Sequence, residues 1–420
     1  MSGGAGRLFP GASPAQAGSA LNRGRGGGGM TRSADVVVIG GGIVGAACTY
    51  YLARAGVDVH LVERQFIASG TSRACDSLTL LWDKSPGPEL ILGRASTALW
   101  AGLVEELDEP FEYHRRGTVL LAEDEAGLEA GRQTAAAMQA QGIRAEPLAQ
   151  ADLLKLEPAL SPDLAGGVFF PDDAQIDARR AALALVAAAR RQGATVHQGA
   201  AVTGIRRRGE EIAGVTTQAG DFATHRVVCA AGVWSNSLAR LVNLDLPIRP
   251  RKGHILVTAR APGFIHHPLL EGGYVSTVQT AAEGVQVALV AEQTPAGTIL
   301  LGSSREFAGF DRSVSLTVVQ AIARRALRFL PGLAQVPAIR SYAGLRPWSP
   351  DHLPLIGPVE AVPGFYLATG HEGSGISLAP VTGRLIADWI VNPNRVMPAA
   401  AAVRPDRFEL RPRTDKPTNH

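Results

Sequence analysis

Hydrophobic and polar positions follow a clear order between residues 35 and 63. Residues 35–39 form a short β-branched run, residues 40–45 form a glycine-rich turn, and an apolar run of small residues then extends to Gly56. A second β-branched run occupies residues 57–63. Short β-branched runs are typical of strands, and an apolar stretch of this length between them is typical of a helix. The pattern therefore predicts a strand–helix–strand unit.

The rest of the chain shows two kinds of pattern. A strand, a glycine-rich turn and a long helix over 365–391 repeat the architecture of the opening unit. In two other stretches, 111–169 and 247–337, strands and helices do not alternate as they do in a parallel sheet. There we expect strands at 113–122, 167–171, 285–292 and 298–303, and helices at 125–142 and 313–330. We predict an α/β fold in which a Rossmann-like domain carries an inserted, antiparallel or mixed-sheet α+β domain.

The composition argues against several classes of protein function. The 420 residues are 46% hydrophobic and carry a formal net charge of +3, which predicts neither nucleic-acid binding nor a membrane surface. No window approaches eighteen consecutive apolar residues, so no membrane span is expected. Cys48, Cys75 and Cys229 are far apart and lack the spacing of metal ligands, which indicates reduced thiols in a cytoplasmic protein without a metal site.

Residues 1–32 differ from the rest of the chain. They are rich in glycine, alanine, serine and arginine, contain no acidic residue and show no apolar period, which predicts a disordered extension. Met30 precedes the point at which a compact protein could begin, so we expect the first 29 residues to come from a misassigned start codon; a transit peptide is the alternative.

The glycine-rich turn predicts a dinucleotide site. Gly40, Gly42 and Gly45 occupy the positions that allow a tight turn, a close backbone approach to a pyrophosphate and close packing of helix on strand. Glu63 ends the second strand, where a carboxylate can accept hydrogen bonds from ribose hydroxyls, and this favours FAD or NAD over NADP.

Three later stretches extend this site. The loop from Phe66 to Asp76 offers hydroxyls, N–H groups and the cation Arg73 to a pyrophosphate and a flavin ring. The strand that ends in 230–232 (Ala-Ala-Gly) allows a close backbone approach to the same dinucleotide. The glycine-rich turn 370–375 leads into a long helix, as the first glycine turn does.

The order of these motifs resembles one family. The first glycine turn, the Gly-Thr-Ser at 70–72, the strand and Ala-Ala-Gly at 228–232, the Gly-Leu-Arg-Pro at 344–347 and the turn 370–375 resemble FAD-dependent oxidoreductases of the D-amino-acid oxidase superfamily. The chain is most similar to the glycine oxidase and sarcosine oxidase β-like branch. Residues 250–254 and 370–373 look most like D-hydroxyproline dehydrogenases and the related opine and proline dehydrogenase β-subunits.

The resemblance implies a division of the chain and a reaction. An FAD-binding domain would comprise 33–110, 170–246 and 338–396, a substrate domain 111–169 and 247–337, and a tail 397–420. The family oxidises a Cα–N bond: the neutral amine gives its α-hydrogen as hydride to flavin N5, and the imine product hydrolyses in water. The expected partners are a small amino or imino acid, and oxygen or another electron acceptor.

The resemblance also assigns residues. Arg346 matches the arginine that binds the substrate carboxylate, and Tyr274 is expected to share that carboxylate. His371 and Glu372 are either an acid–base pair or residues that shape the loop. Lys252 and His254 border the substrate domain. The candidate catalytic residues are Arg346, Tyr274 and His371. The candidate cofactor-binding residues are Gly40, Gly42, Ile43, Val44, Gly45, Glu63, Arg64, Gly70, Thr71, Ser72, Arg73, Ala74, Val202, Ala230, Ala231, Gly232, Trp234, Arg346, Gly370, His371, Glu372, Gly373, Ser374, Gly375 and Ile376.

Several alternatives stay open at this point. Gly344 and Arg73 stand near the positions where some relatives attach the flavin to Cys or His, so we expect non-covalent FAD. An NAD-linked dehydrogenase and an electron-relay subunit are the two other classes of function, and partner subunits with further redox centres fit the multi-subunit relatives. The residues do not decide between an oxidase and a dehydrogenase, nor between D-hydroxyproline, proline, sarcosine, glycine, another D-amino acid and an opine; a cyclic or secondary amine is our expectation.

Overall fold

The computed structural model describes residues 32–274 and 284–410. Tyr274 is therefore the last described residue before a gap. In chain order the strands are β1 Arg32–Ser33, β2 Val36–Ile39, β3 Val59–Glu63, β4 Leu78–Thr79, β5 Thr118–Ala122, β6 Glu146–Ala149, β7 Gly166–Phe170, β8 Ala174–Gln175, β9 Thr195–Gln198, β10 Val202–Arg208, β11 Glu211–Thr217, β12 Gly220–Ala223, β13 Val227–Cys229, β14 Arg249–Arg260, β15 Leu269–Glu271, β16 Gln286–Gln293, β17 Thr298–Arg305, β18 Ala338–Trp348, β19 Leu355–Pro358 and β20 Phe365–Thr369. The helices are α1 Ile43–Arg54, α2 Pro88–Glu106, α3 Glu125–Ala140, α4 Gln150–Leu156, α5 Ala178–Arg191, α6 Ser235–Ala239, α7 Leu316–Phe329 and α8 Gly375–Val391.

The first large sheet contains the predicted strand–helix–strand unit. It has six strands in the order β19-β20-β13-β2-β3-β9, and they are parallel except for the antiparallel pair β19 and β20. The strands β2, β3 and β13 are fully buried because both faces of the sheet are covered, one by helices and the other by residues that include those of β10, β11 and β12. The predicted fold class is confirmed.

Helices α1, α5 and α8 cover one face of this sheet and share its hydrophobic core. Helix α1 packs closely against α8 because α8 has a glycine at the contact. A Cβ atom at Gly383 would lie 2.6 Å from the carbonyl oxygen of Ala47. Glycine at such a crossing lets two helix backbones approach more closely than any other residue allows. The last helix of the chain thus supports the helix that follows the first glycine turn.

The second large sheet forms the predicted inserted domain. It has eight strands in the order β18-β14-β17-β16-β15-β5-β7-β6, and its pairs are antiparallel except for β15 with β5. Helix α7 packs against it over a separate hydrophobic core. Strand β18 belongs to this sheet, although the division by sequence grouped residues 338–348 with the FAD-binding segments. The smaller sheets are β1-β12-β11-β10 and β4-β8.

The register between β14 and β18 determines which of their side chains face the first sheet. Arg251 pairs with Arg346, and Gly253 pairs with Gly344. Successive residues of a strand point to opposite faces, so Arg251 and Gly253 share one face while Lys252 and His254 share the other. On that other face Lys252 forms an ion pair with Asp311 at 2.8 Å, and His254 Nδ1 lies 3.0 Å from Ser304 Oγ.

Candidate active site

A cavity of about 390 Å³ lies where the two large sheets meet, and we call it the first cavity. It is bordered by residues at the carboxyl ends of β2, β3, β13 and β20, which is where open α/β sheets bind their ligands. On its other side it reaches Gly253 and Ile255 of β14 and Arg346 of β18. The predicted cofactor-binding residues that line it are Gly40, Gly42, Ile43, Val44, Glu63, Arg64, Gly70, Thr71, Ser72, Ala74, Val202, Ala230, Ala231, Gly232, Trp234, Arg346, His371, Glu372, Gly373, Gly375 and Ile376.

The first glycine turn has the geometry that its sequence predicts. Gly40 has a φ of +110°, and a Cβ atom there would lie 2.6 Å from the carbonyl oxygen of Ala230. A Cβ atom on Gly45 would overlap the carbonyl oxygen of Gly40. Any residue larger than glycine would therefore displace the backbone at both positions. The turn holds α1 close to the strands and leaves a backbone cradle beside Gly42, which fits the pyrophosphate of a dinucleotide.

Glu63 and Ser72 connect the walls of this cradle. Glu63 Oε2 accepts a hydrogen bond from the N–H of Gly41 at 2.7 Å, and Glu63 Oε1 accepts one from the N–H of Gln65 at 2.8 Å. Ser72 Oγ accepts a hydrogen bond from the N–H of Ile43 at 3.0 Å. The carboxylate is thus fixed at the end of β3, where it lines the cavity and can still accept from ribose hydroxyls.

Four predicted cofactor-binding residues lie elsewhere. Gly45 packs beneath the turn, and Gly370, with a φ of +78°, ends β20. Arg73 is exposed and faces a second cavity of about 540 Å³ on the outer side of the loop 70–77. Ser374 lines a third cavity of about 440 Å³, which shares Tyr274 and the turn residues 371–373 with the first. Their roles at the cofactor stay predictions.

Arg346 reaches across two strands of the second sheet. Its Nη1 donates a hydrogen bond to the carbonyl oxygen of Ser304 at 3.0 Å. The guanidinium passes over Gly253, where a Cβ atom would overlap it. Burial, reinforced by the positive charge of Arg305, lowers the pKa of Arg346, whereas the charge of Asp76 opposes the shift. The structure therefore holds a cation in a fixed direction at the wall of the first cavity.

Tyr274 and Arg305 lie beside this cation. The guanidinium carbon of Arg305 lies 4.7 Å from the ring centre of Tyr274, and Arg305 Nη1 donates to Ser303 Oγ at 3.3 Å. Tyr274 is buried and lines both the first and the third cavity. Burial raises the pKa of its phenol, so the hydroxyl keeps its proton and can donate a hydrogen bond.

His371 is buried and neutral. Thr382 Oγ1 donates to the carbonyl oxygen of Leu378 at 2.8 Å and lies 2.9 Å from His371 Nε2. Because the threonine proton is already used, Nε2 must carry the hydrogen and donate it to Thr382. Burial lowers the pKa of His371 to about 3. These contacts favour an anchoring role in the turn, and a catalytic role for His371 stays a prediction.

A buried ion pair, not anticipated from the sequence, joins the turn 370–375 to the second sheet. Arg251 Nη1 donates to Glu372 Oε1 at 2.7 Å, and both side chains are almost completely buried. His352 Nδ1 lies 3.2 Å from Glu372 Oε2, so the turn at 351–352 has one residue that contacts the site. Burial raises the pKa of Glu372, but the bond to His352 and the charge of Arg251 outweigh it and hold the pKa below its usual range.

Two acidic residues near Arg346 were not among the candidate site residues. Asp76 is half-buried and lines both the first and the second cavity. Glu292 is fully buried; it accepts from the Ser77 N–H at 3.0 Å, from Ser77 Oγ at 2.7 Å and from Gln175 Nε2 at 3.1 Å. Alternation on β14 would have indicated Arg251, two residues before Gly253, but nothing in the local pattern places Glu292 near residue 76.

The family model described as DAO, FAD dependent oxidoreductase, matches residues 35–389. The chain belongs to this family. The resemblance in the order of motifs is therefore confirmed, and the chain is an FAD-dependent amino-acid oxidoreductase acting on C–N donors.

The relatives agree with this assignment over nearly the whole chain. Hydrogen cyanide synthase subunit HcnC of Pseudomonas aeruginosa is 29% identical, over 91% of this chain and 98% of the relative. Glycine oxidase of Geobacillus kaustophilus is 31% identical, over 86% of this chain and 94% of the relative. The crystal structure of L-proline dehydrogenase from P. horikoshii has the same fold, with a TM-score of 0.82 and 24% identity over 90% of this chain and 99% of that chain.

Neither a membrane-spanning helix nor a metal site is found among the described residues. Over 32–274 and 284–410, no helix has both the length and the apolar character needed to cross a membrane. Within the same ranges, no group of three or more His, Cys, Asp and Glu side chains is arranged to hold a metal ion.

Proposed function

We propose that this enzyme oxidises the Cα–N bond of a small cyclic or secondary imino acid, of the D-hydroxyproline or proline type, as a dehydrogenase. The observation that carries the proposal is the orientation of Arg346, which the Ser304 carbonyl and the space above Gly253 direct toward the first cavity. A guanidinium held in this way can bind a carboxylate through two parallel hydrogen bonds.

The neighbours of Arg346 would orient the rest of the substrate. The Tyr274 hydroxyl would donate to the same carboxylate, and two fixed donors determine which face of Cα meets the cofactor. Ile255, which is buried on β14, offers an apolar surface for a ring. A pyrrolidine ring with one carboxylate fits a wall that offers the Arg346 cation, the Tyr274 hydroxyl and the aliphatic side chain of Ile255.

The residues along the first cavity would hold FAD without a covalent bond. The cradle at Gly40 and Gly42 would take the pyrophosphate, Glu63 the ribose, and the N-terminus of α8 would stabilise negative charge on the ring. Bound FAD would accept the hydride from Cα at flavin N5. The ion pair between Arg251 and Glu372 would keep the turn 370–375 against the second sheet during this step.

A second candidate function is an oxidase that produces hydrogen peroxide. The relative named glycine oxidase supports it, because it matches this chain over most of both lengths. The relative HcnC is named as a subunit, which supports a third arrangement in which partner subunits receive the electrons. We infer a cytoplasmic location from the free thiols of Cys48, Cys75 and Cys229.

The experiment that tests these proposals is anaerobic bleaching of the flavin absorbance. The purified yellow protein is mixed with cis-4-hydroxy-D-proline, the proline enantiomers, sarcosine, glycine and other D-amino acids, and air is then admitted. Bleaching by a cyclic imino acid with slow reoxidation is the expected result. Fast reoxidation with peroxide would make the enzyme an oxidase, and bleaching by glycine alone would overturn the cyclic substrate.

A further inference from the structure

Asp76 lies between two cavities. It follows the short helical turn 71–73 and lines the first cavity, where Arg346 stands, and also the second cavity on the outer side of the same loop. Cys75 and Gly344 border both cavities as well. The second cavity is rimmed by the exposed arginines Arg73, Arg179, Arg312 and Arg340, so it opens to solvent. Asp76 is thus a carboxyl group with access to both the substrate wall and solvent.

The charged groups around Asp76 complement the two charges of an amino-acid zwitterion. Arg346 on β18 and Arg305 on β17 supply positive charge, and both act on the Asp76 carboxyl. Among the residues that the structure describes, the other titratable groups that face Asp76 are Cys75 on its own loop, Tyr274, Glu292 on β16 and Tyr342 on β18. An amino acid that presents its carboxylate to Arg346 has its ammonium only two bonds from the carboxylate carbon, within reach of a carboxylate beside that arginine.

Glu292 allows Asp76 to carry the negative charge alone. Burial raises the pKa of Glu292 to about 8, with the charge of Asp76 adding to the shift. At neutral pH Glu292 is therefore mostly protonated, because two adjacent carboxylates disfavour ionisation of both. Its bonds to Ser77 fix the loop that carries Asp76. Burial also raises the pKa of Asp76 above the ordinary value for Asp, while the charges of Arg346 and Arg305 oppose the shift.

The chemistry requires a proton acceptor at this place. An amine with a pKa well above 7 arrives as an ammonium ion, whose nitrogen has no lone pair. Hydride can leave Cα only when a nitrogen lone pair forms the C=N bond. The substrate must therefore lose a proton before oxidation, and the site must deliver that proton to solvent.

We propose that Asp76 takes this proton from the bound substrate ammonium and releases it through the second cavity, a role that rests on the amine oxidation proposed above. The N–H bond of the ammonium breaks, its electron pair stays on nitrogen, and an O–H bond forms on the Asp76 carboxyl. The product pair is a neutral amine and a neutral carboxylic acid, so charge balances without an oxidant. The carboxylic acid then gives its proton to water in the second cavity.

The test is the pH dependence of anaerobic flavin reduction in a stopped-flow instrument, with substrate well below its Kd so that the rate reports ionisation of the free substrate and free enzyme. For Asp76→Asn we expect bound FAD and, at pH 7, a reduction rate at least about 100-fold below that of the wild type. Its rate should rise about tenfold per pH unit up to the pKa of the substrate amine, because the amine must then arrive unprotonated. The wild-type rate should vary far less. Asp172→Asn, which removes a carboxylate from a surface ion pair with Arg144, is the matched control and should behave as the wild type.

Two further results keep the test decisive. An Asp76→Asn enzyme with the rate and pH profile of the wild type would overturn the proposal, whereas a wild type that no amine bleaches would overturn the proposed function instead.

If the variant does not bind FAD, the wild type is reduced by two substrates whose amines differ in pKa. The same kinetic pKa for both substrates supports an enzyme base, and a kinetic pKa that follows the substrate refutes it.

Discussion

Arg346 illustrates how one side chain depends on its immediate neighbours. Its direction is fixed by the Ser304 carbonyl and by the missing side chain at Gly253. We expect Arg346→Ala to keep FAD bound but to raise KM and to lower kcat/KM at least about 100-fold, or about 3 kcal/mol of transition-state binding. Arg346→Lys should recover only part of the loss, because a lysine ammonium cannot make two parallel hydrogen bonds. Steady-state kinetics with the bleaching substrate measure both, and near-normal kinetics in the alanine variant would refute the carboxylate assignment.

A substitution at Gly253 should impair substrate binding by Arg346 without changing Arg346 itself. A methyl group at this position would occupy the space of the Arg346 guanidinium, so Gly253→Ala should displace the cation without removing it. We expect a raised KM and an unchanged flavin spectrum. Gly102→Ala is the control, since a Cβ atom there meets nothing within 4 Å and alanine favours a helix by up to about 1 kcal/mol over glycine. Equal KM values in both variants would show that Arg346 does not need the space above Gly253.

At the residue scale, motifs that are contiguous in sequence placed their residues at one cavity, and the roles of those residues stay predictions. The Gly-Leu-Arg-Pro motif indicated Arg346, and the structure brings it to the same cavity as Gly40 and Tyr274. The sequence did not indicate Arg251 or Glu292 as site residues. Their position depends on the pairing of strands that are distant in sequence, and no local pattern records that pairing.

At the scale of elements, the turn 370–375 and helix α8 form one unit through His371. This histidine is neutral in the folded protein, and its pKa of about 3 lies below the ordinary value of 6.5. Between these values the unfolded chain binds more protons than the folded one, so the free energy of unfolding falls as pH falls. The stability is fully present above pH 6.5 and declines by about 1.4 kcal/mol per pH unit below it.

His371→Asn should remove this slope. Urea unfolding of the wild type and the variant between pH 7 and pH 4 gives the difference in unfolding free energy, which we expect to shrink steadily as pH falls below 6.5. The exposed residue His266 supplies the control, because His266→Asn should leave the wild-type slope in place. A difference that stays constant with pH would mean that the pKa of His371 is the same in the folded and the unfolded protein.

Local sequence patterns predicted individual helices and strands more readily than they predicted how the strands pair into sheets. The unit β2-α1-β3 and helix α8 fall where the periodicity of the sequence indicates, because both are defined by consecutive residues. Strand β18 was expected among the FAD-binding segments, yet it lies at an edge of the second sheet beside β14. Its long-range pairing with β14 decides this, and an alternating strand fits either sheet equally well.

At the scale of the whole molecule, FAD would join the two sheets. The first cavity is lined by residues of both, from Glu63 on one side to Arg346 on the other. A ligand that binds only the folded state adds about 2.7 kcal/mol to the unfolding free energy at a free concentration of 100 Kd. We expect the deflavinated protein to melt at a lower temperature and to recover the melting temperature of the holoenzyme as FAD is added.

Calorimetry or fluorescence melting of the deflavinated protein measures this recovery. NAD⁺ at the same concentrations is the control, since the NAD-linked alternative shares the first glycine turn but not the turn 370–375. A melting temperature that rises with NAD⁺ and not with FAD would contradict the cofactor assignment.

The order of strands in the first sheet has a consequence for synthesis on the ribosome. Strand β13 pairs with β2 on one side and with β20 on the other, and β20 is made only after β14 to β19. At roughly 5–20 residues per second, the edge of β13 stays uncovered for several seconds or longer. The nascent chain therefore carries an open apolar strand edge until β20 emerges, and an incomplete nucleotide pocket until the turn 370–375 follows it. Chaperones that shield such edges would act during this interval, and cofactor loading would come last.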